Sequence, residues 1–241
     1  DSVAIEVVDS AGNVVRHLAG PGGPGLHRVV WDLRNEFEVP PPPDEGGWFG
    51  TLHAPYVLPG KYTVRISAGG HAETQAVDVK IDPRVRTTPA ALRARMLAGM
   101  QIGDLNRASS EGAKAVKALE AEFAALRAVA AQHAPAAAVS ADSLLHAASV
   151  KFDSIAGKFR SGFGAPVGRA LDLLGALEAS SLAPSEAQQR TLRHVAAELT
   201  ADVNALDAFI ARDMPALRTK LGAAGAAEVA PVRPPQGGAP R

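Results

Sequence analysis

Apolar and polar residues alternate with a period of two over the first third of the chain and with a helical period over the rest. Two alternating runs, at residues 3–7 and 14–18, flank the turn-forming residues 9–13. A second pair, at residues 62–66 and 75–81, flanks Gly69 and Gly70. Short strands separated by frequent turns predict an antiparallel β-sandwich at the N-terminal end.

A further strand is predicted over residues 27–34, which end in the sequence WDLR. Val29, Trp31 and Leu33 occupy alternate positions there and therefore share one face of an extended segment. Trp31 and Tyr62 are predicted to lie in the core, because large aromatic side chains at alternate positions dominate sandwich interiors.

Helical patterns replace the strand patterns after residue 86. They predict helices over residues 89–132, 141–159 and 167–179, and a last helix from about residue 184. The apolar positions of this last helix recur about every 3.6 residues, as in a straight helix packed within an antiparallel bundle; they are Leu192, Val195, Leu199, Val203, Leu206, Ile210, Met214, Leu217 and Leu221. Pro215 interrupts the pattern and predicts a kink.

These patterns divide the chain into three parts. Residues 1–86 form the predicted β-sandwich, and residues 87–222 form the predicted α-helical bundle. Residues 223–241 are rich in Pro, Gly and Ala and predict a disordered tail. The expected fold class is therefore α+β, with two domains.

The strand rhythm is broken by a long loop, residues 35–56, that contains four consecutive prolines and several aromatic residues. Long loops are uncommon inside compact domains unless they have a function. Its candidate ligand-binding or interface residues are Asp44, Glu45, Trp48, Phe49 and Tyr56. Two carboxylates beside an aromatic that stacks on a sugar suit glycoside hydrolysis. The alternative is an acidic, solvated loop whose aromatics pack back onto the protein.

Composition narrows the functions to consider. Lys plus Arg and Asp plus Glu number 25 each, so the basic excess typical of nucleic-acid binding is missing. The sequence has no cysteine and no apolar run of the length that spans a bilayer. None of the seven histidines lies in a zinc motif. Residues 9–13 lack the later ligands of a calcium loop and indicate a hairpin turn instead. We therefore expect no metal, no cofactor and no catalytic residue.

One family resemblance covers about residues 2–221. The matching stretches are Val7–Leu18, His27–Arg34, Leu58–Ile66 and Lys80–Val85, with a looser match at the helix start Ala183–Gln188. They resemble the C-terminal region of secreted bacterial proteins built on a sialidase-like or sortilin-like β-propeller, often labelled glycosyl hydrolases. In those proteins a FlgD-type immunoglobulin-like domain follows the propeller, and a helical region closes the chain.

The resemblance implies a non-catalytic accessory module in the periplasm or outside the cell. Its partner would be an upstream β-propeller domain of the same parent chain, which it braces, with loop 35–56 as a lid or interface. The start at Asp1, directly before a strand pattern, indicates a fragment or processed product. One alternative is an independent module that binds a glycan or a protein through Trp48, Phe49 and Tyr56. A weaker one is an enzyme that uses Asp44 or Glu45.

Overall fold

The computed structural model describes residues 2–37, 53–132, 135–160, 166–222 and 229–236. Its fold class is α+β, with a four-stranded antiparallel sheet followed by helices. The strands are β1 (Ser2–Val8), β2 (Val14–Pro21), β3 (Gly60–Ala68) and β4 (His71–Val79). The helices are α1 (Pro89–Ala130), α2 (Pro135–Arg160), α3 (Pro166–Glu178), α4 (Glu186–Ala208) and α5 (Met214–Leu221), with a π-helical turn (Phe209–Asp213) between the last two.

The sheet has the strand order β2-β1-β3-β4, so the two predicted hairpins pair through their first strands. In the register, Ile5 lies opposite Leu18 on one side and Ile66 on the other. A bulge between Val7 and Val8 interrupts the pairing of β1 with β2. The four strands predicted from the period-two pattern are therefore confirmed. Within the described residues no second sheet is packed on this one.

The apolar face of the sheet contains a small core around Tyr62. Val7, Val57 and Tyr62 are buried there, and Trp31 packs on Tyr62 edge to face with 5.6 Å between the ring centroids. The Tyr62 hydroxyl donates a hydrogen bond to the carbonyl of Leu58 over 2.7 Å. Burial, together with the nearby Asp9 carboxylate, raises the pKa of Tyr62. The predicted core position of Tyr62 is confirmed, whereas Trp31 is partly buried against it.

The opposite face of the sheet carries a row of charged and polar side chains, which we call the charged row: Glu36, His17, Glu6 and Arg65. The register places Glu6 opposite both His17 and Arg65. Arg65 Nε donates to Glu6 over 2.7 Å, and His17 Nδ1 lies 2.7 Å from Glu36 Oε2. Each side chain in the row therefore contacts a neighbour that can carry the opposite charge.

The β1–β2 hairpin closes around the carboxylate of Asp9. Its Oδ1 accepts the backbone N–H groups of Ala11 and Asn13, each over 2.9 Å, and Oδ2 accepts the Asn13 side-chain amide over 3.2 Å. Burial by itself would raise the pKa of Asp9, but these hydrogen bonds outweigh it and lower the pKa. This segment is the hairpin turn that the sequence indicated.

The predicted strand over residues 27–34 is wrong. Residues 27–33 join no strand ladder, and Arg34 pairs with Tyr56 in a single antiparallel bridge. Leu33 has a φ of 61°, which ends the extended backbone. Two side chains of the WDLR sequence bond to the backbone of Arg34 instead: Trp31 Nε1 donates to the Arg34 carbonyl over 3.0 Å, and the Arg34 N–H donates to Asp32 Oδ1 over 3.1 Å.

The chain forms two compact units, and the division between them falls inside α1. Unit 1 contains Asp1–Gly103 and Leu174–Glu186, and unit 2 contains Asp104–Leu173 and Ala187–Gly237. The sequence placed the boundary at residue 86, where the composition changes. The first turns of α1 belong to unit 1, where the Phe37 ring lies so close to Gly103 that an added Cβ would overlap it.

In unit 2, α1 and α2 bury apolar side chains at helical spacing; they are Val116, Leu119, Phe123 and Leu126 in α1 and Leu145, Phe152, Ala156 and Phe159 in α2. The rings of Phe123, Phe152 and Phe209 form a cluster with centroid distances of 5.2 to 6.3 Å. Helix α2 begins earlier than predicted, at Pro135, because a proline fits the first position of a helix as well as the end of one.

The predicted kink at Pro215 takes the form of the π-helical turn just before it. The Met214 N–H donates to the carbonyl of Phe209, five residues earlier. A proline ring crowds the carbonyl four residues before it, and a wider turn relieves that crowding. At the start of this turn Phe209 is buried, whereas the predicted Ile210 is only partly buried.

Alanine at two helical glycines of unit 2 should have opposite effects on the free energy of unfolding. A Cβ at Gly112 in α1 would overlap the buried ring of Phe159, whereas a Cβ at Gly157 in α2 meets nothing within 4 Å. We expect Gly112→Ala to lower the free energy of unfolding by about 1–3 kcal/mol through overpacking. Gly157→Ala should raise it by roughly 0.5–1 kcal/mol through helix propensity. Chemical unfolding monitored by circular dichroism measures both, and equal effects would contradict the packing described.

The Asp9 turn predicts a pH-dependent contribution to stability. Because its pKa is lowered in the folded chain, the contribution is complete above the unfolded-state pKa of about 3.9. It is lost as the pH falls through the folded-state pKa. Asp9→Ala should therefore cost about 1 kcal/mol near pH 7 and less below about pH 4. The control is Asp78→Ala, an exposed carboxylate on β4. A difference from wild type that grows in acid would refute the assignment.

Candidate functional site

Of the five candidate residues, the structure places Tyr56. Asp44, Glu45, Trp48 and Phe49 lie outside the described residues, so their role stays a prediction. Tyr56 belongs to unit 1 and lies on the segment 53–58 that precedes β3. Its side chain is 54% exposed, which makes it available to a partner.

The backbone on either side of Tyr56 is held by the segment that follows Trp31. Asn35 donates two hydrogen bonds to the Pro55 carbonyl, one from its backbone N–H over 2.9 Å and one from its side-chain amide over 3.0 Å. The Val57 N–H donates to the carbonyl of Leu33 over 2.8 Å. Buried Val57 then joins the core of the sheet. The position of Tyr56 is thus determined by hydrogen bonds on both of its neighbours.

The guanidinium of Arg34 lies over the Tyr56 ring, 4.2 Å from its centroid. A cation at this distance from an aromatic face is held by the ring quadrupole. Arg34 Nη1 also donates to the Ala54 carbonyl over 2.8 Å and to Glu178 Oε1 over 2.5 Å. With its side chain only 13% exposed, Arg34 is anchored on three sides and restricts the motion of the Tyr56 ring.

A groove of about 110 Å³ lies beside this ring, within unit 1. Helix α1 comes close to the Tyr56 segment there because Gly99 has no side chain: an added Cβ would lie 3.0 Å from Pro55. Arg95 Nε donates to the carbonyl of Leu177 over 3.1 Å, which ties α1 to the end of α3. The groove is lined mainly by apolar side chains; the lining residues are Pro55, Tyr56, Val57, Leu58, Leu92, Arg95, Met96, Gly99, Leu174, Leu177 and Glu178.

This arrangement suits binding. An exposed aromatic face with an apolar groove, a carboxylate and a guanidinium at its edge can receive a side chain or stack on a ring. The described residues bring together no group of three His, Cys, Asp or Glu side chains that could hold a metal ion. Arg34, which lies over the ring, and Glu178, which lines the groove, bond to each other. The site therefore offers contact surface rather than an obvious acid–base pair.

The sequence named Tyr56 as a candidate but did not indicate the groove beside it. Arg34 was visible in the WDLR sequence, yet nothing there indicated that its side chain holds Tyr56. Glu178 lies 144 residues further along the chain, and no spacing rule connects the two. Gly99 carried the one usable signal, because a glycine inside a helix often has a packing reason.

No family model, curated protein or solved structure matches the chain. Among the described helices, none has both the length and the apolar character needed to cross a bilayer. The site must therefore be interpreted from its own geometry.

The anchoring of Arg34 predicts that its removal destabilises unit 1. Arg34→Ala should lower the free energy of unfolding by about 2 kcal/mol, because hydrogen bonds to charged groups contribute roughly 1.5–3 kcal/mol each. Arg28→Ala, at an exposed position on the same segment, is the matched control and should change it by less than about 0.5 kcal/mol. Urea unfolding measures both. Equal stability of the two variants would show that Arg34 does not hold the Tyr56 segment.

Proposed function

We propose that this chain is a non-catalytic accessory module of a secreted bacterial β-propeller protein resembling the glycosyl hydrolases. In this proposal it contacts the propeller of the same parent chain through Tyr56 and the groove beside it. The observation that carries the proposal is the anchored but exposed Tyr56 ring beneath Arg34. A side chain that is already ordered loses little conformational entropy on binding, and aromatic residues dominate interface energetics.

The size of the groove favours a protein partner. At about 110 Å³ it is smaller than the roughly 300–1,000 Å³ of typical ligand sites. A space of this size accepts one protruding side chain, as a partner domain would supply. The apolar lining from Leu92, Met96 and Leu174 suits an aliphatic or aromatic side chain.

The immunoglobulin-like assignment of the sheet belongs to the same proposal. Immunoglobulin-type sandwiches often contain a tyrosine near the start of a strand whose hydroxyl bonds back to the backbone a few residues upstream. Tyr62 lies near the start of β3, and its hydroxyl donates to the carbonyl of Leu58. This hydrogen bond and the antiparallel hairpins support an immunoglobulin-like domain followed by a helical bundle. Location in the periplasm or outside the cell follows from the family resemblance alone.

A second candidate function is independent binding of a glycan. Exposed aromatic rings stack on sugar faces, and Tyr56 has the Glu178 carboxylate and the Arg34 guanidinium close to its ring. Trp48 and Phe49 would extend such a surface in this hypothesis. Both candidate functions therefore use Tyr56, and they differ in the partner that it would bind.

The first test is the coding sequence upstream of Asp1. Repeated four-stranded blades behind a secretion signal would support the accessory module, whereas unrelated sequence directly upstream would overturn it. Where a propeller is found, titrating that domain with this chain measures the interface. Tyr56→Ala should weaken the complex by roughly 30-fold, corresponding to about 2 kcal/mol for an aromatic interface residue.

The control for this measurement is Val150→Ala, an exposed apolar position on α2 in unit 2. It should leave the dissociation constant unchanged. An equal affinity of the Tyr56→Ala and wild-type chains would remove Tyr56 from the interface. If the chain alone binds an immobilised glycan and Tyr56→Ala abolishes that binding, the second candidate replaces the first.

A further inference from the structure

Residues 229–236 lie extended on the helices of unit 2, in a region where composition predicted a disordered tail. We call these residues the C-terminal strap. The Val232 side chain is only 4% exposed, and its backbone N–H donates to Asp207 Oδ1 over 2.8 Å. The strap contains Pro231, Pro234 and Pro235, and proline favours an extended backbone without internal hydrogen bonds.

The strap is held by Arg107, a charged residue of α1 that is 4% exposed. Its guanidinium is oriented by Asp104 Oδ1, at 2.7 and 2.9 Å, and by Glu111 Oε2, at 2.8 Å. The same guanidinium reaches two successive strap carbonyls, those of Arg233 and Pro234, each at 3.4 Å. A buried guanidinium needs several acceptors, and the strap supplies two of them.

The two carboxylates that orient Arg107 also contact the strap directly. Asp104 Oδ2 accepts the backbone N–H of Gln236, and Glu111 Oε1 lies 3.4 Å from the side chain of Arg233. One cluster on α1 therefore contacts the strap through its carbonyls, one of its N–H groups and one of its side chains. The strap has no helix or strand of its own, so its position depends on these contacts.

Proline is well suited to the strap for a second reason. The three prolines of the strap have no backbone N–H, so they bring no unpaired hydrogen-bond donor to the helix surface. The N–H groups of Val232 and Gln236 are accepted by Asp207 and Asp104. The contacts thus match a particular kind of peptide: an aliphatic anchor, a basic residue and then two prolines.

We propose that unit 2 carries a binding site for an extended, proline-containing peptide, and that the chain's own strap occupies it in cis. Arg107, Asp104, Glu111 and Asp207 form the recognition surface, and Val232 is the apolar anchor. Because the ligand is tethered, it competes with any free peptide at an effective concentration on the order of millimolar. The site opens to other peptides of this type when the strap leaves.

The test uses the full chain and a labelled synthetic peptide that spans residues 229–236. Val232→Asp in the chain should release the strap, since an unpaired carboxylate is costly to bury. The wild-type peptide should then bind this variant, and bind the wild-type chain at least about tenfold more weakly because of the tethered competitor. A peptide with the same Val232→Asp change should bind neither chain. Fluorescence anisotropy measures all of these affinities.

The matched control is Ala230→Asp, which places the same charge at an exposed strap position. It should keep the strap in place and leave the site closed to peptide. If the wild-type peptide binds neither chain, or binds both equally, the proposal is overturned.

A second measurement does not depend on any variant folding correctly. In the wild-type chain, hydrogen exchange should show protection of the Val232 and Gln236 amides, at every protein concentration. Exchange of these two amides at the rate of a free peptide would overturn the proposal. Protection that rises with protein concentration would contradict occupancy in cis and indicate exchange of straps between two copies.

Discussion

Both units depend on glycines of helix α1, against whose backbone neighbouring side chains pack directly. Within unit 1, Gly99 lies against Pro55 and Gly103 lies under the ring of Phe37; within unit 2, Gly112 lies under the ring of Phe159. A side chain at any of these positions would force its neighbour to move, because protein interiors are packed without spare volume. In unit 1 this close approach also brings the Tyr56 segment to the helix and so creates the groove. Helix α1 therefore contributes close backbone contacts at its glycines in addition to its buried apolar side chains.

Local patterns predicted most of the regular structure. The four strands of the sheet, the approximate helix positions and the buried role of Tyr62 follow from periodicity, because a half-buried element imposes its period on the sequence. The WDLR segment was wrongly predicted as a strand, because an alternating pattern describes side-chain directions only while the backbone stays extended. Leu33 leaves that conformation, and nothing in its residue type indicates a positive φ. Ile210 was predicted in place of Phe209 for a similar reason, since the π-helical turn departs locally from the 3.6-residue period, which Met214, Leu217 and Leu221 then resume.

The candidate site was only partly predictable. Tyr56 stood out as an aromatic residue near a long loop, but its environment depends on Glu178 and on α1, which are distant in sequence. Composition predicted disorder for the strap because it counts apolar residues and ignores their placement. One buried valine and a few hydrogen bonds suffice to hold a short proline-rich segment when the receiving surface is already ordered. The docking depends on both the strap and the helix surface that receives it, so the strap sequence alone does not indicate it.

The charged row makes the two faces of the sheet unequal in a way that constrains how the fold can be completed. Covering Glu6, Arg65, Glu36 and His17 with an apolar layer would strip water from four polar groups, a desolvation cost that close ion pairs often fail to recover. The face around Tyr62 also carries Arg16, opposite Val7, and Glu73, opposite Ile66, but its centre is formed by the buried side chains of Val7, Val57 and Tyr62. Any second layer that completes a sandwich therefore belongs on the Tyr62 side, and the charged row is left facing water or a partner with polar groups of its own.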